Sequence, residues 1–216
     1  MSTVERFREV VQERFGGRLS AGCHGPNDGA ASAHEAAAAA RGREWSDSSY
    51  VAGLPELRGL NDAPWPSDEA RAEGLVPVIE ALWDWESWSE ERQRTWGESV
   101  ALRVVRDILP DVVKAFGLKD HARNCARAST LADASAALRR TARALDRQPG
   151  PAARSARESA DSAEQAASTR AQHKPKPAAE AVMLAAYAWS ELGRPDAAEA
   201  TLRTACRIWR EAALSQ

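Results

Sequence analysis

Apolar residues recur at intervals of three and four along nearly the whole chain, and alternation of period two is almost absent, so the pattern predicts an all-α protein. Val4, Phe7, Val10, Val11 and Phe15 form the first stripe, with Thr3 placed to cap it and Gly16 and Gly17 to stop it. Residues 18 to 29 are turn-rich, and Ser32 with Glu35 then makes a capping box for an alanine-rich helix reaching about Arg41. Between residues 44 and 67, Gly53, Pro55, Gly59, Pro64 and Pro66 are spaced too closely for a long element. Ser67 caps the next helix, which Pro77 is expected to kink or restart. A helix beginning at Ser89 carries Trp96, Val100, Val104 and Ile108 on one side, and Pro110 is expected to end it. Short helices over 111 to 116 and 120 to 128 follow. Thr130 then caps one with Leu131, Leu138 and Leu145 seven apart.

The clearest break is Pro149, Gly150 and Pro151. Residues 152 to 172 hold no large apolar side chain, which predicts an exposed or loosely packed helix or a linker, followed by a stiff connector from His173 to Pro177. The expected organisation is a helical domain over 1 to 148, with its irregular Trp-containing segment at 44 to 67. An Ala/Ser/Arg-rich linker or exposed helix over 149 to 177 and a C-terminal helical hairpin over 178 to 216 complete it. The fold expected is an irregular helical bundle ending in that hairpin.

The hairpin has its own signature. Ala186, Trp189, Gly193, Ala198, Leu202 and Ala205 stand where small, aromatic, glycine, alanine, bulky and alanine residues fall in a 34-residue helical repeat. On these positions, residues 179 to 212 resemble a single tetratricopeptide repeat. Val182 replaces the usual tryptophan, Ala185 the usual leucine, and Arg210 the usual closing proline. The resemblance implies a unit that must stack on neighbouring helices, on a second chain or on a partner. It makes Trp189, Leu202 and Trp209 the candidate interaction residues.

Charge adds a second pattern. With 29 basic and 31 acidic residues the formal net charge is −2, which argues against a dedicated nucleic-acid binder. The average conceals a split, net −9 over residues 44 to 98 and net +6 over 121 to 176, and the two regions could dock on each other or on separate partners. The Arg139, Arg140, Arg143 and Arg147 series reads first as a solvated basic face. The alanine and arginine bias points to a GC-rich, bacterial-type genome rather than to function. Three widely spaced cysteines fit a reducing compartment, no stretch is apolar enough to span a membrane, and the charged first twenty residues hold no signal-peptide core. A cytoplasmic location is the expectation.

Two constellations could carry chemistry. Cys23, His24, His34 and Glu35 offer thiolate, imidazole and carboxylate ligands around a loop and a helix start, although His34 and Glu35 are followed by Ala38 where a zincin motif needs histidine. Trp83, Trp85, Trp88 and Trp96, interleaved with Glu86 and other carboxylates, could form a cation-binding aromatic wall, an anchor for a partner, or a helix-corner core capped by Trp45 and Trp65. No phosphate-binding loop and no nucleophile elbow are present, and no cofactor is implied. These features favour a non-enzymatic module that binds another protein or itself. The second reading is a small helical enzyme, or a ligand or metal sensor, using the tryptophan and carboxylate cluster with the Cys23, His24 and His34 loop.

Overall fold

A computed structural model describes residues 3 to 168 and 176 to 215. The side-chain cap expected at Thr3 and the connector residues His173, Lys174 and Pro175 lie outside the described residues. Helices dominate, and no strand occurs among the described residues. In chain order these are α1 (Thr3–Glu9), extended by a π-helical turn Val10–Arg14, then α2 (Ala33–Ala40), α3 (Ser49–Ala52), α4 (Arg58–Asn61) and α5 (Asp68–Ala81). After a 3-10 turn at Trp85–Ser87 come α6 (Glu90–Arg103), a second π-turn Val104–Ile108, α7 (Leu109–Ala115) and α8 (Lys119–Ala126). The chain closes with α9 (Leu131–Leu145), α10 (Pro151–Ala167), α11 (Lys176–Glu191) and α12 (Pro195–Leu214).

Local capping sets most of the starts. Ser32 and Glu35 form the full reciprocal box on α2, and Thr130 forms one on α9 with Asp133. Ser67 and Ser89 accept from the backbone N–H groups of Ala70 and Arg92. Neither proline ends a helix. α5 runs unbroken through Pro77, which lies on the partly exposed side of the helix, where the lost N–H is cheapest to leave unreplaced. Pro110 does not stop the rod that starts at Ser89. The π-turn at 104 to 108 interrupts the regular ladder first, so Pro110 falls in the first turn of α7, where no N–H is required.

One hydrophobic cluster runs from Phe7 to Ala213. Its N-terminal part is built of large side chains, among them Phe7, Leu57, Leu75, Ile79, Leu82 and Trp96. Its C-terminal part is a layer in which α10 lies between α9 and α11. Here the reading of residues 152 to 172 as an exposed helix or linker is corrected for residues 152 to 167, which form a packed helix, while residues 169 to 172 lie outside the described residues. Ala153, Ala156, Ala160, Ala163 and Ala167 form a buried stripe at helical spacing, and Ser159 Oγ donates to the Ala181 carbonyl at 2.6 Å. Alanine here buries little surface per residue but lets two neighbouring helices approach closely, which multiplies dispersion contacts. The connector also ends sooner than expected, because Lys176 and Pro177 already belong to α11.

The C-terminal hairpin docks back on the body, α11 against α4 and α12 against α5 and α6. The approach at Gly59 is so close that a Cβ there would lie 2.5 Å from the Ala179 carbonyl carbon. Gly193 turns the hairpin with φ of +69°, a conformation that favours glycine. Trp189, Leu202 and Trp209 are all buried, so these three expected contact residues are core instead. The Trp96 indole N–H donates to the Trp209 carbonyl at 3.3 Å and ties α6 to α12.

Candidate functional site

Four places in this fold concentrate chemistry: the polar cluster at the start of α2, the tryptophan corner, an outer face of arginines on α8 and α9, and a groove beside α5.

The start of α2 holds the proposed metal ligands, and the fold sends them in different directions. Glu35, buried, accepts from the backbone N–H of Ser32 and of His24, each at 2.7 Å, and its Oε2 lies 3.2 Å from His24 Nδ1. His34, fully buried, sits elsewhere, with Nε2 3.1 Å from the Pro55 carbonyl and Nδ1 3.8 Å from Asp47. A carbonyl can only accept, so Nε2 of His34 bears a proton and donates it to Pro55. Asp47 accepts from Ser32 Oγ at 2.6 Å. Burial works to raise the Asp47 carboxyl, but the facing His34 and the Ser32 hydroxyl outweigh it and hold the group below its ordinary value. Cys23 is exposed. No group of three His, Cys, Asp or Glu side chains among the described residues is arranged to hold a metal ion.

The partners that sequence reasoning missed explain what this cluster does. Asn61 accepts from the Ala33 N–H at 3.1 Å and donates to the Ser20 carbonyl at 3.0 Å. Arg71, itself buried, donates to the carbonyls of Asn61 at 2.7 Å and Leu19 at 2.8 Å and pairs with Asp68. Trp45 donates to the His24 carbonyl at 2.6 Å. The side chains of this cluster are thus spent largely on backbone atoms of two irregular segments, 18 to 29 and 44 to 67, which have few neighbours of their own to satisfy them. The cluster is a clamp that gives those loops one conformation.

At the second place, Trp85 packs on Trp88 and Trp96 with ring centroids 5.2 and 4.9 Å apart, while Trp83 pairs instead with Phe7 at 5.5 Å. The cation positions on these rings are filled from within. Arg41 lies 4.1 Å over Trp83 and Arg92 3.9 Å over Trp88. Glu86 accepts from both Nη atoms of Arg43, at 2.8 and 2.6 Å, and those hydrogen bonds hold its carboxyl below the ordinary value against the opposing effect of burial. Burial in turn pulls the Arg41 guanidinium below its usual value. Trp45 and Trp65, expected to cap this corner, go elsewhere. Trp45 stacks near Phe15 and Arg14, and Trp65 fits against Gly74, where a Cβ would meet it at 2.5 Å.

Among the described residues no ion pair joins the two charged regions. Several carboxylates of the acidic stretch are taken by arginines from the same stretch or from outside both regions: Glu80 by Arg8, Glu86 by Arg43, Glu73 by Arg203, Glu91 and Glu98 by Arg94. In the basic region Arg139 holds Glu164 at 3.1 Å and Arg157 holds Asp161 at 2.7 Å, both on α10. Arg127 just after α8, Arg140 and Arg143 on α9, Arg147 in the turn after it, and Arg154 on α10 are exposed and enter no ion pair among the described residues. The protein is therefore an all-helical body in which part of the acidic stretch is paired, while exposed arginines at the end of α8, on α9 and just beyond it enter no ion pair among the described residues. No protein-family model, no curated protein and no solved structure matches the chain.

Proposed function

We propose that the protein is a non-enzymatic interaction module that docks an acidic helical segment of another protein on the outer face of α8 and α9. The observation that carries the reading is the series of exposed arginines, Arg127, Arg140, Arg143 and Arg147, that enter no ion pair among the described residues. Arg140 and Arg143 stand at i and i+3 on α9, and Arg147 follows in the turn just past the end of that helix. Guanidinium groups match carboxylates in a two-pronged geometry, and a helix with acidic residues at the same spacing presents them in register. This series lacks what nucleic acid would use. Neither α8 nor α9 contains Phe, Tyr or Trp for base stacking, and Asp133 and Asp146 flank the arginines on the same helix, where they would repel phosphates.

A cytoplasmic setting belongs to the same reading, in keeping with the buried free thiols of Cys125 and Cys206. No helix among the described residues is long and apolar enough to cross a membrane. The tetratricopeptide-like spacing of α11 and α12 suits an interaction protein as well, with the repeat serving as the platform that α10 and α9 are layered upon.

The test is a photo-crosslinking side chain at position 143, used in the protein's own host with and without Arg140→Glu and Arg147→Glu. The expected result is a protein adduct mapping to an acidic helix, reduced at least about tenfold by the two reversals and by high salt, and unchanged by the distant Arg207→Glu. A nucleic-acid adduct, or a protein adduct indifferent to the reversals, would overturn the proposal.

A further inference from the structure

On the side of the molecule built by α1 and α5, a cavity of about 470 Å³ opens between the π-turn Val10–Arg14 and the outer side of α5. Its walls are apolar, formed by Val11, Ala72 and Val76, and Glu9, Gln12 and Glu13 stand around its mouth. We propose that this cavity binds a small organic cation, an ammonium group carried on an apolar body of a few carbons.

Size, charge and wall geometry lead to that ligand class. The volume falls within the range of small-molecule sites, roughly 300 to 1,000 Å³, and is too small for a folded partner. The other charges at the mouth are already committed, Arg8 to Glu80 and Glu73 to Arg203 at 3.3 Å. Arg14, beside Glu13 in sequence, is turned away to the Pro26 carbonyl at 2.6 Å and the Trp45 ring at 4.9 Å. Glu9 and Glu13 enter no ion pair among the described residues, and the one guanidinium that lines the recess, Arg8, is held by Glu80, so two carboxylates at an apolar recess are left without an ion-pair partner. The wall itself is a π-turn, a widened and less stable form of helix that recurs at binding sites because it displaces side chains from the regular ladder. Here it places Val11 in the floor while Glu13 reaches the rim. Gln12 folds toward Gly17 at the end of the recess, where a Cβ would lie 3.2 Å from its Oε1.

A carboxylate ligand would meet the same apolar walls but the wrong rim. Charge sign is therefore the discriminating variable, and hexylammonium against hexanoate is the matched pair of probes. In a ¹⁵N-labelled sample of the full chain, hexylammonium is expected to shift the amide signals of residues 9 to 17 and 72 to 76, and hexanoate to leave them in place. The Glu9→Gln, Glu13→Gln double variant, which changes no group that the fold uses, is expected to weaken the ammonium response at least about tenfold. Val76→Trp, which fills the recess, is expected to abolish it while signals from α9 to α11 stay where they are. Equal responses to the two probes, an ammonium response unchanged in the double variant, or no response to hexylammonium would each overturn the proposal.

Discussion

The aromatic half of the molecule and the alanine layer bury their helices by opposite means. Around Trp96, fully buried, the space between α6 and α12 is filled by the side chains themselves. Between α9, α10 and α11 the side chains are small, and the helices close the space by approaching one another. The same two regions differ in charge. In the aromatic half, arginines lie on indoles or hold carboxylates, as Arg41, Arg92 and Arg43 do. On the outside of the alanine layer, Arg140, Arg143 and Arg147 enter no ion pair among the described residues. The contrast teaches that a segment without large apolar residues can be core when its alanines recur at helical spacing, and that the side chains left outside such a helix are then available for binding.

Substitutions that change volume in opposite directions sharpen this contrast. Trp96→Ala removes the largest buried side chain of the aromatic half and is expected to cost about 3 to 5 kcal/mol in denaturant unfolding. Ala160→Leu in α10 is expected to cost about 1 to 3 kcal/mol, because a close interface has no room for added methylenes. On a loosely packed exposed helix the same change would be neutral, so an unchanged midpoint would break the comparison. Ser159→Ala keeps the volume but leaves the Ala181 carbonyl without its donor, with an expected loss of about 1 kcal/mol. The smallest effect concerns Glu86, whose folded-state pKa lies below the ordinary 4.5. Its stabilisation is fully present above that value and is lost as the pH falls through the lower folded one. Glu86→Gln should therefore flatten the acid limb of the stability profile slightly, read from thermal midpoints at stepped pH.

How much of this was legible in the sequence depends on whether the cause is local. The caps at Ser32, Ser67, Ser89 and Thr130 are local, and the helix starts followed from them. The breaks at Gly16, Gly150 and Gly193 were equally readable from turn chemistry. Pro77 and Pro110 were misjudged, since whether a proline ends a helix depends on which side faces solvent and on a π-turn that no residue pattern announces. Residues 151 to 167 were misjudged because hydrophobic patterning weighs large side chains, whereas the signal here was the 153, 156, 160, 163 and 167 alanine register.

The polar clamp was visible only as a collection of ligand types. His24 and Glu35 do come together, but His34 turns to Asp47 and Pro55, contacts set by loops that sequence could not place. Arg71 reaches a carbonyl 52 residues away, and nothing local marks it as the group that fixes the first loop. Of the four tryptophans in the corner, Trp85, Trp88 and Trp96 do cluster, and the arginines that occupy Trp83 and Trp88 are the part that had to be seen.

Amide hydrogen exchange on α10, followed residue by residue, tests the central claim most directly. If this helix is core, the amides of Ala156 to Ala163 exchange as slowly as those of α6 around Trp96, through opening close to global unfolding. Exchange of those amides at the rate of an unstructured peptide, while α6 stays protected, would contradict the account.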